Sequence, residues 1–172
     1  MGAPPRFVFD GAVTETEHWK LDRIGSAKGT DPTVLAKLPQ SFAVIGDTQF
    51  LPGYCVLLVD RPSIDRLTDL SKADRLEFLG SMDTLGQAVE TACKAIDPAF
   101  RRMNYEILGN TDAYLHAHLF PRYEWESSEH IGRPVWLYDP EQFYAAEAAL
   151  APRHDEIRAR IVAELAGLGV TV

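Results

Sequence analysis

The chain has 172 residues, 46% of them hydrophobic and 24% charged, with a net charge of −8 from 25 acidic and 17 basic side chains. Such length and apolar content predict one domain, residues 1–172, with a substantial core. The acidic balance excludes a general electrostatic attraction to nucleic acid polymers or anionic membranes, while leaving room for a small phosphate ester held by a few local cations.

In chain order, the opening MGAPPRFVFDGAVTE carries prolines and charges where a signal peptide needs an apolar run. No stretch approaches the roughly 20 apolar residues that span a bilayer. Cys55 and Cys93 lie far apart without CxxC or Cys/His spacing, so neither a disulfide framework nor a thiolate zinc site is expected. These features predict a soluble, cytoplasmic chain. FVFD (7–10) reads as a short strand and 14–22 as a short helix. The Gly-, Ser-, Asp- and Pro-rich stretch 24–41 reads as a loop. SFAVIGD (41–47) and YCVLLVD (54–60) read as two strands of a hairpin around TQFLPG. Leu76, Leu79, Met82, Leu85, Val89, Cys93 and Ile96 recur at three- and four-residue steps, which predicts a long helix with one buried stripe. Ser71 and Asp74 mark its start and Asp97-Pro98 its end. RRMNYEILG (101–109) and AYLHAHLF (113–120) follow as strands joined by a polar turn. Asp139-Pro140 opens a helix, Pro152 interrupts it, and a last helix over 153–166 buries Ile157, Ile161 and Leu165. The pattern is α+β: a meander of strands with one long helix inserted.

Within NTDAYLHAHLFPR (110–122), strand alternation puts His116 and His118 on one face about 6–7 Å apart. Tyr114 and Phe120 extend their row, and Leu115, Ala117 and Leu119 face the core. Three readings compete. Both histidines are partly exposed residues on a wet face; or they chelate a metal with Glu124, although His18, His130 and His154 are poorly placed to help; or they are catalytic.

The arrangement NYEILGN, Asn110-Thr111, then YLHAHLFPR resembles the histidine-triad family of nucleotide hydrolases and transferases, whose motif is His-φ-His-φ-His-φ-φ, often closed by Pro-Arg. Leu119-Phe120-Pro121-Arg122 sets the register in which His116 is the central histidine, His118 the third, and Tyr114 stands where the first would be. A register with His118 central loses the third histidine to Phe120 and fits Pro-Arg less well. LPGYCVLLVDRP (51–62) resembles the family's P-G-H-x-L-V-x-P strand, with Tyr54 for the usual histidine. The likeness covers about residues 40–125 and leaves a C-terminal extension, about 126–172, outside it.

The resemblance implies attack by the central imidazole on the α-phosphorus of a nucleotide, a covalent histidine–nucleotide intermediate, and hydrolysis or transfer. Imidazole suits the task, since its unperturbed pKa of about 6.5 leaves much of it unprotonated at neutral pH. Two adjacent imidazolium ions repel, so one neutral and one charged ring is expected. His116 is then the nucleophile and His118 a phosphate contact or proton donor. Asn110 and Thr111 either donate to phosphate or only form the turn. Asp47 lies near the family's ribose-binding acid, or caps a loop. Asn104 either lines the site or sits on the polar face of its strand. Arg122 balances phosphate charge, or pairs with Glu124 or Glu126. Tyr114 replaces a histidine in the hydrogen-bond network, or packs. Candidate substrates are dinucleoside polyphosphates and nucleoside phosphoramidates. No cofactor or metal is implied, and no Walker loop, GxGxxG or nucleophile elbow is present. The family's homodimer would pair the long helix and its neighbouring strand across a two-fold. A nucleotide-binding module with little turnover is the alternative.

Overall fold

The computed structural model describes residues 31–110 and 113–172, together with Gly25. The strand expected at 7–10 and the helix at 14–22 lie outside the described residues. From Asp31 onward the order is β1 (Val34–Leu38), β2 (Ser41–Ile45), β3 (Cys55–Val59), α1 (Lys72–Ile96), β4 (Phe100–Glu106), β5 (His116–Tyr123), α2 (Pro140–Tyr144) and α3 (Asp155–Gly167). The five strands form one antiparallel sheet in the order β1-β2-β3-β5-β4. This is the expected α+β architecture.

The predicted hairpin pairs Ser41 with Val59 through Ile45 with Cys55. One expected loop is instead a strand. Asp31 receives hydrogen bonds from the Thr33 amide (2.8 Å) and hydroxyl (2.7 Å), and Val34–Leu38 then pairs with β2. A register shift between Val34 and Ala36 buries both Leu35 and Ala36, which erases the alternation by which the strand would have been recognised. Gln40, at φ 58°, makes the tight turn into β2.

Helix α1 starts as anticipated, with the Ser71 hydroxyl accepting from the Asp74 amide at 3.1 Å. It buries Phe78, Leu85, Val89 and Cys93, but not the whole expected stripe: Leu76 is 61% exposed. On the sheet, Cys55, Leu57, Ala117 and Leu119 are buried in the same core as the helix. Ile157, Ile161 and Leu165 of α3 complete it, so the C-terminal extension shares this core. Among the described residues no helix is long and apolar enough to cross a membrane.

Strand β5 begins at His116 and runs past Phe120 to Tyr123, with Pro121 inside it. Its pairing with β3 ends at Leu119, so among the described residues β4 is its only partner around Pro121. A proline is tolerated where one side of the strand has no ladder to complete. The next residue anchors the extension. Arg122 is 3% exposed, its Nε donates to both oxygens of Glu126 at 3.0 Å, and its terminal nitrogens reach the carbonyls of Arg133 (3.0 Å) and His130 (3.1 Å). The Tyr138 hydroxyl donates to the same carboxylate. Of the two roles considered for Arg122, the structure therefore shows ion pairing with Glu126 inside the protein. Arg122→Met strands a buried carboxylate and should cost about 3–5 kcal/mol in denaturant unfolding. Adding Glu126→Leu should recover much of that loss.

Candidate active site

Strand β5 pairs with β3 from His116 to Leu119 and with β4 from His118 onward, so its side-chain alternation is enforced across the histidine pair. His116 pairs with Leu58 of β3; His118 pairs with Val56 of β3 and Glu106 of β4. Directly paired residues project from the same face. The two imidazoles lie with centroids 4.7 Å apart and planes at 81°. His116 Nδ1 is 2.7 Å from the Tyr114 carbonyl oxygen. A carbonyl only accepts, so Nδ1 carries a proton, and in the neutral ring the lone pair is then on Nε2, across the ring. That is the nitrogen able to attack an electrophile.

His118 has different surroundings. Its Nδ1 is 2.6 Å from the Tyr54 hydroxyl. Its ring lies nearly parallel to Phe120 (5.7 Å, 5°) and meets the edge of Trp136 (4.7 Å, 73°). Burial in this aromatic surround, with a smaller contribution from His116, pushes its pKa down to about 3. The expectation of one charged ring therefore does not hold at His118, which is neutral at physiological pH. Beside it, Glu106 accepts a hydrogen bond from the Trp136 indole nitrogen. Burial raises the Glu106 pKa, opposed by the Trp136 hydrogen bond and by Arg122.

Trp136 and Glu106 were not singled out by sequence. Glu106 becomes a neighbour of His118 only through the β4–β5 register, and Trp136 only through the fold-back that Arg122 anchors. Trp136 sits in the turn Val135–Leu137, stacked on Phe143 (5.9 Å, 10°). Tyr54 was visible as a departure from the family strand, but its pairing with His118 was not.

The other sequence candidates are scattered. Asn104, half-buried, pairs with Phe120 and so shares the histidine face. Asn110 is exposed in the loop that leads to His116, and Thr111 lies outside the described residues. Asp47 is exposed, and its carbonyl accepts from the Leu150 amide at 2.8 Å. Tyr114 is fully buried and donates to the Val59 carbonyl, so it packs beneath the site and presents no surface to a substrate. Among the described residues, no three His, Cys, Asp or Glu side chains are grouped to hold a metal.

The low pKa of His118 has a thermodynamic consequence. Between about pH 6.5 and 3 the unfolded chain binds a proton at this ring that the folded chain does not, so stability falls as pH falls through that window. Urea unfolding at pH 7 and pH 4 should show the native chain losing about 1–3 kcal/mol more than a His118→Gln variant.

Known proteins place this geometry. A family model described as "HIT domain" matches residues 28–125. A histidine triad (HIT) protein from Sinorhizobium meliloti 1021 superposes with a TM-score of 0.61 at 20% identity, over 76% of this chain and 87% of that one. A hypothetical histidine triad nucleotide-binding protein from Sulfolobus tokodaii gives 0.61 at 10% identity, over 85% and 93%. A uridylyltransferase structure gives 0.56 at 13% identity, over 90% of this chain but 49% of that one, so the present chain spans about half its length. Comparison with curated proteins returns no match. With its sheet order, long helix and paired histidines on the central strand, the chain belongs to the HIT domain family.

Proposed function

We propose that the chain is a nucleotide hydrolase or nucleotidyl transferase acting at the α-phosphate of a dinucleoside polyphosphate or a nucleoside phosphoramidate. The observation that carries this reading is the hydrogen bond from His116 Nδ1–H to the Tyr114 carbonyl, which leaves Nε2 of the neutral ring as the nucleophilic nitrogen. Attack by Nε2 on the α-phosphorus forms a P–N bond as the bond to the leaving group breaks. Water, or an acceptor hydroxyl or amine, then displaces His116 from phosphorus, completing hydrolysis or transfer. Asn110 and Thr111, which precede β5 in the sequence, are the candidates to stabilise charge on non-bridging oxygens. Asn104 and Asp47 are candidates for the flank of the site and for the ribose. No metal or cofactor is invoked.

A homodimer fits the same reading. The edge strand β4 and the exposed apolar residues of α1, among them Leu76, are the surface on which a second copy would pair. A second reading, a nucleotide-binding module with little turnover, draws on the buried Tyr114 at the first triad position.

Incubation with diadenosine tetraphosphate and with an adenosine phosphoramidate should release nucleotide. Rapid acid quench and peptide mass spectrometry should find the nucleotidyl group on His116. His116→Ala should lower kcat/KM by about 10³-fold or more, as removal of a covalent nucleophile does. Undiminished turnover in that variant would sink the mechanism, and binding without turnover would favour the module.

A further inference from the structure

Tyr54 is held more firmly than a packing residue needs to be. Its ring lies flat on Phe120, with centroids 4.3 Å apart and planes at 9°. On the main chain at Gly46 there is room for that ring only because the residue is glycine: a Cβ there would overlap it. The backbone is fixed too, since the Tyr54 carbonyl accepts from the Gly46 amide and from the Gln49 side chain, both at 2.9 Å, and its amide donates to Leu51 at 3.0 Å. Tyr54 itself is 7% exposed. Within this socket the hydroxyl meets His118 Nδ1 at 2.6 Å.

The geometry points to Tyr54 as a positioning residue that donates to His118 Nδ1 and thereby fixes the His118 proton on Nε2. A phenol O–H is a far stronger acid than a neutral imidazole N–H, so the favoured direction of the short bond is O–H to nitrogen. The neighbouring histidines then take opposite tautomers. His116, tied through Nδ1–H to a carbonyl, turns a lone pair away from the backbone; His118, tied through an Nδ1 lone pair to a hydroxyl, turns a proton away from Tyr54. One ring is built to attack phosphorus and the other to donate a hydrogen bond to a phosphate oxygen without carrying charge. The catalytic part of this assignment rests on the nucleotidyl-transfer reading above; the tautomer itself does not.

The test uses the full chain labelled with ¹⁵N-histidine and long-range ¹H–¹⁵N correlation spectra, with His116→Gln and His118→Gln assigning the rings. The native chain should show His118 with an unprotonated, hydrogen-bonded Nδ1 and a protonated Nε2. In Tyr54→Phe, which keeps the stacked ring, the Nδ1 resonance should move to the position of an unbonded ring nitrogen. Where turnover is measurable, kcat of that variant should fall about 3–10-fold with little change in KM, the scale of one hydrogen bond. Gly46→Ala, which retains the hydroxyl but crowds the ring, should shift the same resonance. A protonated Nδ1 in the native chain, or an Nδ1 resonance unmoved in Tyr54→Phe, overturns the assignment. Absence of turnover overturns the function proposed above and leaves the tautomer measurement decisive.

Discussion

The pairing of β5 between β3 and β4 is the constraint from which the rest follows. A strand hydrogen-bonded on both sides cannot rotate or slip without exposing its apolar set. Ala117 and Leu119 are therefore committed to the core beneath α1, and His116 and His118 to the opposite face. The same ladders choose the histidines' neighbours: Val56 and Leu58 on one side, Glu106 on the other. The paired histidines are thus placed on a rigid element. Such a platform suits a reaction that needs an imidazole nitrogen held at one position and angle.

A second constraint acts on the histidine face. Arg122, from the same row as the histidines, buries its guanidinium among Glu126, Tyr138 and three carbonyls. A buried ion pair is seldom a large net source of stability, but breaking one side of it is costly. Its consequence here is positional. It ties the chain after β5 back onto the sheet, and the turn that follows brings Trp136 against His118 and Glu106. The C-terminal extension accordingly has two functions in the fold: α3 closes the core behind the sheet, and the Val135–Leu137 turn walls the site in front of it.

That wall decides the electrostatics. Excluding water from one face of His118 disfavours its charged form, so the adjacent histidines are not a general acid and base of similar character. Their hydrogen-bond partners, a carbonyl for His116 and a hydroxyl for His118, give the two rings different surroundings although they are chemically identical and two residues apart.

Periodicity and punctuation alone determined much of this protein. Alternation placed His116 and His118 on one face, the three- and four-residue apolar steps located α1, and Ser71 and Asp139 marked helix starts that the structure reproduces. These signals are legible because they depend on neighbours within a few residues along the chain. The strand Val34–Leu38 was not legible, since its register shift breaks the alternation, and Pro121 concealed that β5 continues. Non-local choices were decided only by tertiary structure: Arg122 turning to Glu126, Tyr114 sinking into the core to reach Val59, and Tyr54, Glu106 and Trp136 converging on His118. Each depends on sheet register or on the fold-back of a distant segment, so the sequence determined which nitrogen-bearing side chains stand together, and the packed structure decided what each ring's Nδ1 meets and that burial keeps His118 uncharged.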